Sequence, residues 1–266
     1  MDAATDRLVP EEILSHLPDR RWIREVLVLE STTSTNDYVT AQARQGAPAG
    51  LVVFAEEQTA GRGRLGRRWQ SDPHAGLWFS ILLRPDFPLV QWPRLTLWLA
   101  CALAHAIRRH TSLEVALKWP NDIYASGRKL AGILVETSPG ENPFATAGIG
   151  LNVNQSGFPS PLDATATSLR LETGSPLDRN PLAAAILTSI DESFSLIPSH
   201  FREILTWASQ SDCLRGQWVT ATVGNTIHRG IAEGLDPEGA LLLRPPSGPL
   251  IRLTSGEVTH CSPSHQ

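Results

Sequence analysis

Gly61, Gly63 and Gly66 fall on the G-x-G-x-x-G spacing, after an apolar run that ends in LVVFAE. In a dinucleotide-binding fold the third glycine opens a helix, and the helix N-terminus holds the pyrophosphate. Here Gly66 is followed by RRWQSDPHAGLWFSILL, a turn and then a strand. That context excludes the doubly wound dinucleotide fold and points to a sheet whose strands follow one another with few intervening helices. The loop itself still needs a purpose, because Arg62, Arg64, Arg67 and Arg68 are threaded through it.

The rest of the chain fits such a sheet. VLVLE (26–30), GLVVFAE (50–56), GLWFSILLR (76–84), 113–118, GRKLAGILVET (127–137) and TAGIGLNVN (146–154) read as strands, being β-branched and apolar runs bounded by turn residues. Ser34 and Thr35 are N-cap candidates for a helix that runs to about Arg44, where Gly46 stops it. Apolar residues recur on a helical period over 92–109. A polar loop fills 155–180, Asn180-Pro181 opens another helix, and a further one covers about 199–210. After Cys213 come QWVTATVG, TIHRGIAEGL, ALLLRPP and LIRLTSGEV, separated by glycine and proline turns. This pattern predicts a small all-β barrel that packs on the larger body, since units of roughly 50 residues are marginal alone. The expected class is α/β (α+β). Residues 1–24 form an N-terminal extension with a loose start and one short helix near Pro10–Leu17, 25–212 the main domain, and 213–266 the barrel.

Charge and cysteine use narrow the function. The net charge is −4 over 266 residues, which lacks the global basic footprint of a nucleic-acid binder. Cys101, Cys213 and Cys261 are far apart and make neither a zinc pattern nor a disulfide framework; buried free thiols suit a reducing, cytoplasmic setting. The N-terminus has no apolar core of a secretory signal, and LTLWLACALAHAI (95–107) is too short to cross a bilayer. His74, His105 and His110 show no metal spacing.

For the loop, two readings compete: a solvated basic segment, or an anion cradle. Glycines allow close approach of backbone N–H groups, arginine presents a planar fork that suits carboxylate and phosphate, and Trp69 closes the segment as a hinge or lid. GRGRLGRRW resembles the G-R-G-R-x-G-R-x-W signature of biotin protein ligases. STN (34–36), KWPND (118–122), KLAGIL (129–134) and GIGLNVN (148–154) follow in that family's order. The resemblance spans about residues 26–262. It implies a catalytic domain like the class II aminoacyl-tRNA synthetase core, followed by an SH3-like barrel. It also resembles the short family members without an N-terminal winged helix-turn-helix, which implies no DNA partner.

The implied chemistry has two halves. Biotin's carboxylate attacks the α-phosphate of ATP, giving biotinyl-AMP and pyrophosphate with Mg²⁺; a lysine amine of a biotin carboxyl carrier protein domain then takes the acyl group. Joining two anions calls for charge neutralisation and positioning, which a Gly/Arg loop and a lysine supply. By resemblance, Ser34, Thr35, Asn36 and Gln58 line the biotin site; Gly61, Arg62, Gly63 and Arg64 fold over the carboxylate and acyl phosphate; Arg67 takes ATP phosphate and Trp69 closes the loop. Lys129 approaches the carboxylate and α-phosphate, with Gly132 admitting the ligand. Arg64 and Lys129 are the catalytic candidates. Asn121 and Asp122 contact ATP, Asp122 also offering an oxygen to Mg²⁺, and Asn152 reads the adenine edge.

Each assignment has a plainer counterpart. Ser34–Asn36 serve equally as a cap, Lys129 snorkels, Asn121-Asp122 is a common turn and Asn152 ends a strand. A lipoate or octanoate ligase is the nearest rival, disfavoured by its different Arg/Gly pattern. An RNA- or anion-binding module is a second, disfavoured by net charge and by the lack of interleaved aromatics. Monomer and homodimer both stay open. The glycine content predicts that the loop orders only with ligand.

Overall fold

The computed structural model describes residues 6–17 and 21–260; Cys261 and the rest of both chain ends lie outside them. In chain order the elements are α1 (Pro10–Ser15), β1 (Glu25–Thr32), α2 (Thr35–Arg44), β2 (Leu51–Gln58), β3 (Gly76–Leu83), α3 (Arg94–Thr111), β4 (Ala116–Lys118), β5 (Asp122–Ala125), β6 (Arg128–Ser138) and β7 (Phe144–Asn152). They continue with α4 (Leu169–Thr173), α5 (Arg179–Ser193), α6 (Leu196–Ser199), α7 (Phe201–Ser211), β8 (Trp218–Val223), β9 (Thr226–Leu235), β10 (Leu241–Arg244), β11 (Ile251–Leu253) and β12 (Glu257–His260).

Seven strands form a mixed sheet in the order β1-β2-β3-β7-β6-β5-β4. Its one parallel pair is β1–β2, with α2 as the crossover; every other pair is antiparallel. Strand periodicity divides the side chains between two faces. Val52, Phe54, Leu77, Phe79, Ile81, Ala147, Ile149 and Leu151 join the large core beneath α3 and α5. Their neighbours Leu51, Val53 and Leu82 pack with Val39 and Ala43 of α2 on the opposite face. That second face also carries Gly148 and Gly150, where missing side chains leave room beside α2.

Residues 6–17 are docked, which corrects the reading of a loose start. Leu8, Ile13 and Leu17 enter the main core. Arg179, completely buried, donates to Glu56 Oε2 at 2.7 Å and to Asp6 Oδ2 at 2.9 Å. Leu8 N–H donates to Glu56 Oε1 at 2.8 Å, so one buried carboxylate ties the N-terminal segment, β2 and α5 together. His74 Nδ1 lies 3.3 Å from the same carboxylate.

The second sheet runs β11-β10-β9-β8-β12, antiparallel throughout. It encloses Val219, Ala221, Ala232, Leu241, Leu243, Leu253 and Val258, with Trp119 of the main body in the same cluster. Trp119 Nε1 donates to Gly239 O at 3.1 Å, so the small unit shares its core with its neighbour. Unread in the sequence were β5, where only a turn was expected, α4 inside the predicted loop, and α6; the single strand read in LIRLTSGEV is two, β11 and β12.

Candidate active site

A cavity of about 390 Å³ opens on the glycine-bearing face of the large sheet, walled by α2, the ends of β2 and β6, β7, the Gly/Arg loop, residues 158–166 and the edge of the barrel. It brings together Ser34, Thr35, Asn36, Gln58, Arg62, Gly63, Arg64, Arg67, Trp69, Asn121, Asp122, Lys129, Gly132 and Asn152. These are all the sequence-derived candidates except Gly61, which belongs to the loop but does not line the cavity. A side chain at Gly61 would stand 2.7 Å from Trp69 O.

One end of the cavity is a buried polar relay. Ser34 occupies the N-cap position of α2 without making a side-chain cap bond, correcting the capping role expected of it. Gln58 Oε1 accepts from Thr35 N–H at 2.8 Å and from Thr35 Oγ1 at 3.1 Å, while Gln58 Nε2 donates to Ser71 Oγ at 3.2 Å. Ser80 Oγ donates to Asn36 Oδ1 at 2.6 Å, and Asn36 Nδ2 donates to Glu136 Oε2 at 2.7 Å. Gly148 is required here: a Cβ would lie 2.4 Å from Asn36 Oδ1. The relay fixes which amide atoms face the cavity, which is what polar recognition of a small ligand needs.

The Gly/Arg loop folds over the opposite wall. Arg62 and Arg68 form an isolated bridge, Gly63 N–H donates to Arg67 O at 2.7 Å, and Trp69 N–H donates to Gly61 O at 2.9 Å. Leu65, with φ of 56°, turns the tip. Trp69 lies over the cross-strand glycine pair Gly132 and Gly150 and meets Trp78 edge-on, with ring centroids 6.2 Å apart. Its Nε1–H is buried without a protein partner.

The loop arginines diverge. Arg62 turns outward, donating to Asp37 Oδ1 at 2.7 Å and Glu136 Oε2 at 2.8 Å. Arg67 pairs with Glu257 on β12, linking loop and barrel. Arg64 forms no ion pair among the described residues; it donates to Asn121 Oδ1 at 3.0 Å. Desolvation lowers its pKa, with the charges of Asp122 and Glu257 opposing that shift, so its guanidinium is a partly dehydrated cation without an anion of its own.

Lys129 Nζ lies 2.7 Å from Asp122 Oδ1. Asp122 Oδ1 makes no well-directed hydrogen bond, so the contact is an ion pair held by proximity. Lys129 Nζ is also 5.4 Å from the Trp69 ring centre. Further along, Asn152 Nδ2 donates to Thr167 O at 2.9 Å. The covering segment is pinned to β6 where Lys129 N–H donates to Thr165 O and Thr167 N–H to Lys129 O. Sequence reasoning missed Glu136, Ser80, Ser71 and Glu257. Each acts by binding a recognised residue, and none stands in a motif of its own.

A basic glycine loop closing on a lysine and an Asn-Asp turn over a mixed sheet is the arrangement of a carboxylate-activating ligase. Residues 28–154 match the Biotin/lipoate A/B protein ligase family, and residues 216–260 the Biotin protein ligase C terminal domain. The chain is 38% identical over 248 residues to the bifunctional ligase/repressor BirA of Bacillus spizizenii, covering 91% of this chain and 76% of that protein. It is 34% identical to the biotin–[acetyl-CoA-carboxylase] ligase of Mycobacterium tuberculosis, covering 89% of each. The solved biotin protein ligase of Aquifex aeolicus, in complex with biotin and ATP, superposes with a TM-score of 0.77 at 31% identity, over 88% of this chain and 97% of that one. The chain therefore belongs to the biotin protein ligase family. Among the described residues no helix is long and apolar enough to cross a membrane.

Proposed function

We propose that the cavity activates biotin with ATP as biotinyl-AMP and passes the acyl group to a lysine of a biotin carboxyl carrier protein domain. The observation that carries this reading is Arg64: a half-buried cation with no carboxylate of its own, facing the same cavity as Lys129. One cation without a carboxylate partner, beside a lysine that has only Asp122, suits a site where a carboxylate and an α-phosphate must approach each other. Biotin's ureido ring takes the end lined by Ser34, Thr35, Asn36 and Gln58. Its carboxylate lies beneath Gly63, Arg64 and Lys129, and the nucleotide extends past Asn121 and Asp122 to Asn152.

Arg62 serves this site through Asp37 and Glu136, as an anchor of the closed loop. Arg67 reaches phosphate by leaving Glu257. No cluster of three metal-binding side chains exists among the described residues. Asp122, whose Oδ1 is ion-paired with Lys129 but makes no directed hydrogen bond, is the hard oxygen ligand that would hold a magnesium ion; such an ion would supply charge neutralisation at the phosphates. The working division is a catalytic body over 25–212 and a barrel over 213–266. The loop orders on ligand binding, and protection of Arg64 from protease by biotin plus ATP tests that.

Pyrophosphate–ATP exchange with biotin, lipoate or octanoate as the acid tests the function. Exchange with biotin alone is expected; exchange with lipoate or octanoate instead would assign the site to the rival ligases.

A further inference from the structure

At the end of the cavity that holds Asn152, one carboxylate gathers donors from two separate parts of the chain. Glu172, on α4, has a side chain only 7% exposed and stands outside the residues that line the cavity. Its Oε1 accepts from Thr167 Oγ1 at 2.5 Å and from the Arg128 guanidinium at 2.9 Å. Its Oε2 accepts from Ser126 Oγ at 2.7 Å. Burial pushes this carboxyl up, but the hydrogen bonds from Ser126, Thr167 and Arg128 outweigh burial and hold it below the usual carboxylate range. At neutral pH it is therefore an acceptor only.

The parts it joins are those that carry the site. Ser126 and Gly127, with φ of 49° and 76°, are the two residues between β5 and β6, a left-handed pair that closes a tight hairpin. That hairpin bears Asp122 at its open end and Lys129 just past the turn. Thr167 is completely buried, and its peptide touches both neighbours in the wall. Its N–H donates to Lys129 O at 2.9 Å, and its carbonyl accepts from Asn152 Nδ2 at 2.9 Å. Thr165 and Ala166, immediately before it, line the cavity. The short helix behind them is itself fixed, with Leu169 fully buried and Arg170 N–H donating to Val153 O at 2.8 Å. We infer that Glu172 is a positioning residue for the nucleotide: it clamps Thr167 to the β5–β6 turn and so holds the 158–167 segment, Asn152 and Lys129 in one arrangement. Its side-chain hydrogen bonds reach none of Ser34, Thr35, Asn36 or Gln58, so the biotin end does not depend on it. The inference rests on the place given to the nucleotide under the proposed function.

The test measures pyrophosphate exchange with biotin and ATP varied in turn, for wild type, Glu172→Ala, Glu172→Gln and Thr167→Val. Deuterium uptake by peptides covering 158–167 is followed on the same proteins without ligand. A wall segment that is in place only part of the time weakens apparent affinity by that fraction. Glu172→Ala should therefore raise KM for ATP about tenfold, leave KM for biotin within about twofold, and speed uptake at 158–167. Glu172→Gln keeps an acceptor oxygen in the same shape and should restore most of the ATP affinity. Thr167→Val removes one donor of the three; it should shift KM for ATP less, in the same direction, and it carries the test if the alanine variant does not fold. An unchanged KM for ATP in Glu172→Ala, or equal rises for both substrates, would overturn the inference. Absence of exchange in wild type would instead sink the acyl-adenylate reading; uptake at 158–167 then decides, and unchanged uptake in Glu172→Ala overturns the clamp.

Discussion

Replacing Gly150 by alanine probes how the loop is seated. A Cβ at this position would lie 2.5 Å from Trp69 Cε2 and 2.7 Å from both Cζ2 and Nε1. Ordinary carbon contact begins near 3.5 Å, so the indole must move by about 1 Å. The strand cannot give way instead, because β7 is hydrogen-bonded on both sides, to β3 and to β6. Trp69 can move, since it ends the loop. A displacement of that size at a positioning group costs on the order of a hundredfold in rate. Overpacking that the loop absorbs should cost the fold less than the 1–3 kcal/mol typical of a closed core, so about 1 kcal/mol, or roughly 2–4 °C in Tm. Pyrophosphate exchange with saturating biotin, run beside a thermal melt, reads both quantities. The expected result is exchange reduced about ten- to hundredfold with a small change in Tm. Exchange within twofold of wild type would refute the seating of Trp69 on the Gly132–Gly150 pair.

Arg64→Ala removes the unpaired cation and should lower adenylation about ten- to hundredfold, the range that one charge-assisted hydrogen bond of about 1.5–3 kcal/mol represents; a wild-type exchange rate would take Arg64 out of the chemistry. Arg179→Met leaves buried Glu56 with the Leu8 amide and His74 but no permanent cation, a loss of about 3 kcal/mol that corresponds to roughly 6–12 °C in Tm. Glu56→Gln/Arg179→Met should recover part of it, and an unchanged melt for the single variant would contradict the buried network. Burial raises the Cys101 thiol to about 12; burial and then the charge of Asp212 raise Cys213 to about 11. Reactive thiolate is therefore scarce at neutral and mildly alkaline pH. Iodoacetamide at pH 8 should leave both unmodified until denaturant is added, and stoichiometric labelling of native Cys213 would contradict this.

Much of the site could be read in the sequence because its residues advertise themselves locally. The loop glycines and arginines stand together in nine residues. Gly148 and Gly150 alternate with Ile149 and Leu151, which assigns glycines and core to opposite faces before any coordinates are known. The 94–111 helix shows its period over five turns. What stayed hidden depends on partners far apart in the chain. Arg179 and Glu56 are 123 residues apart, and nothing around either one signals the other. Glu136 looks like any polar position in an alternating strand until Arg62 and Asn36 converge on its Oε2. The four residues of β5 follow Pro120-Asn121 and begin with Asp122, where local turn chemistry outweighs so short a strand signal. The fate of the loop arginines was equally invisible. Composition makes all four look alike, whereas the fold sends Arg62 to α2 and β6, Arg67 to the barrel, and leaves Arg64 over the cavity.

The central claim is that this cavity joins biotin to AMP and then releases the acyl group to an amine. The most direct measurement incubates the protein with biotin, magnesium and ATP labelled at the α-phosphate, isolates the complex, and adds a biotin carboxyl carrier protein domain. The account predicts one labelled biotinyl-AMP per chain, discharged as AMP while biotin appears on the carrier lysine. Labelled complex that forms without biotin, or that forms with biotin but fails to discharge to the carrier, would contradict it.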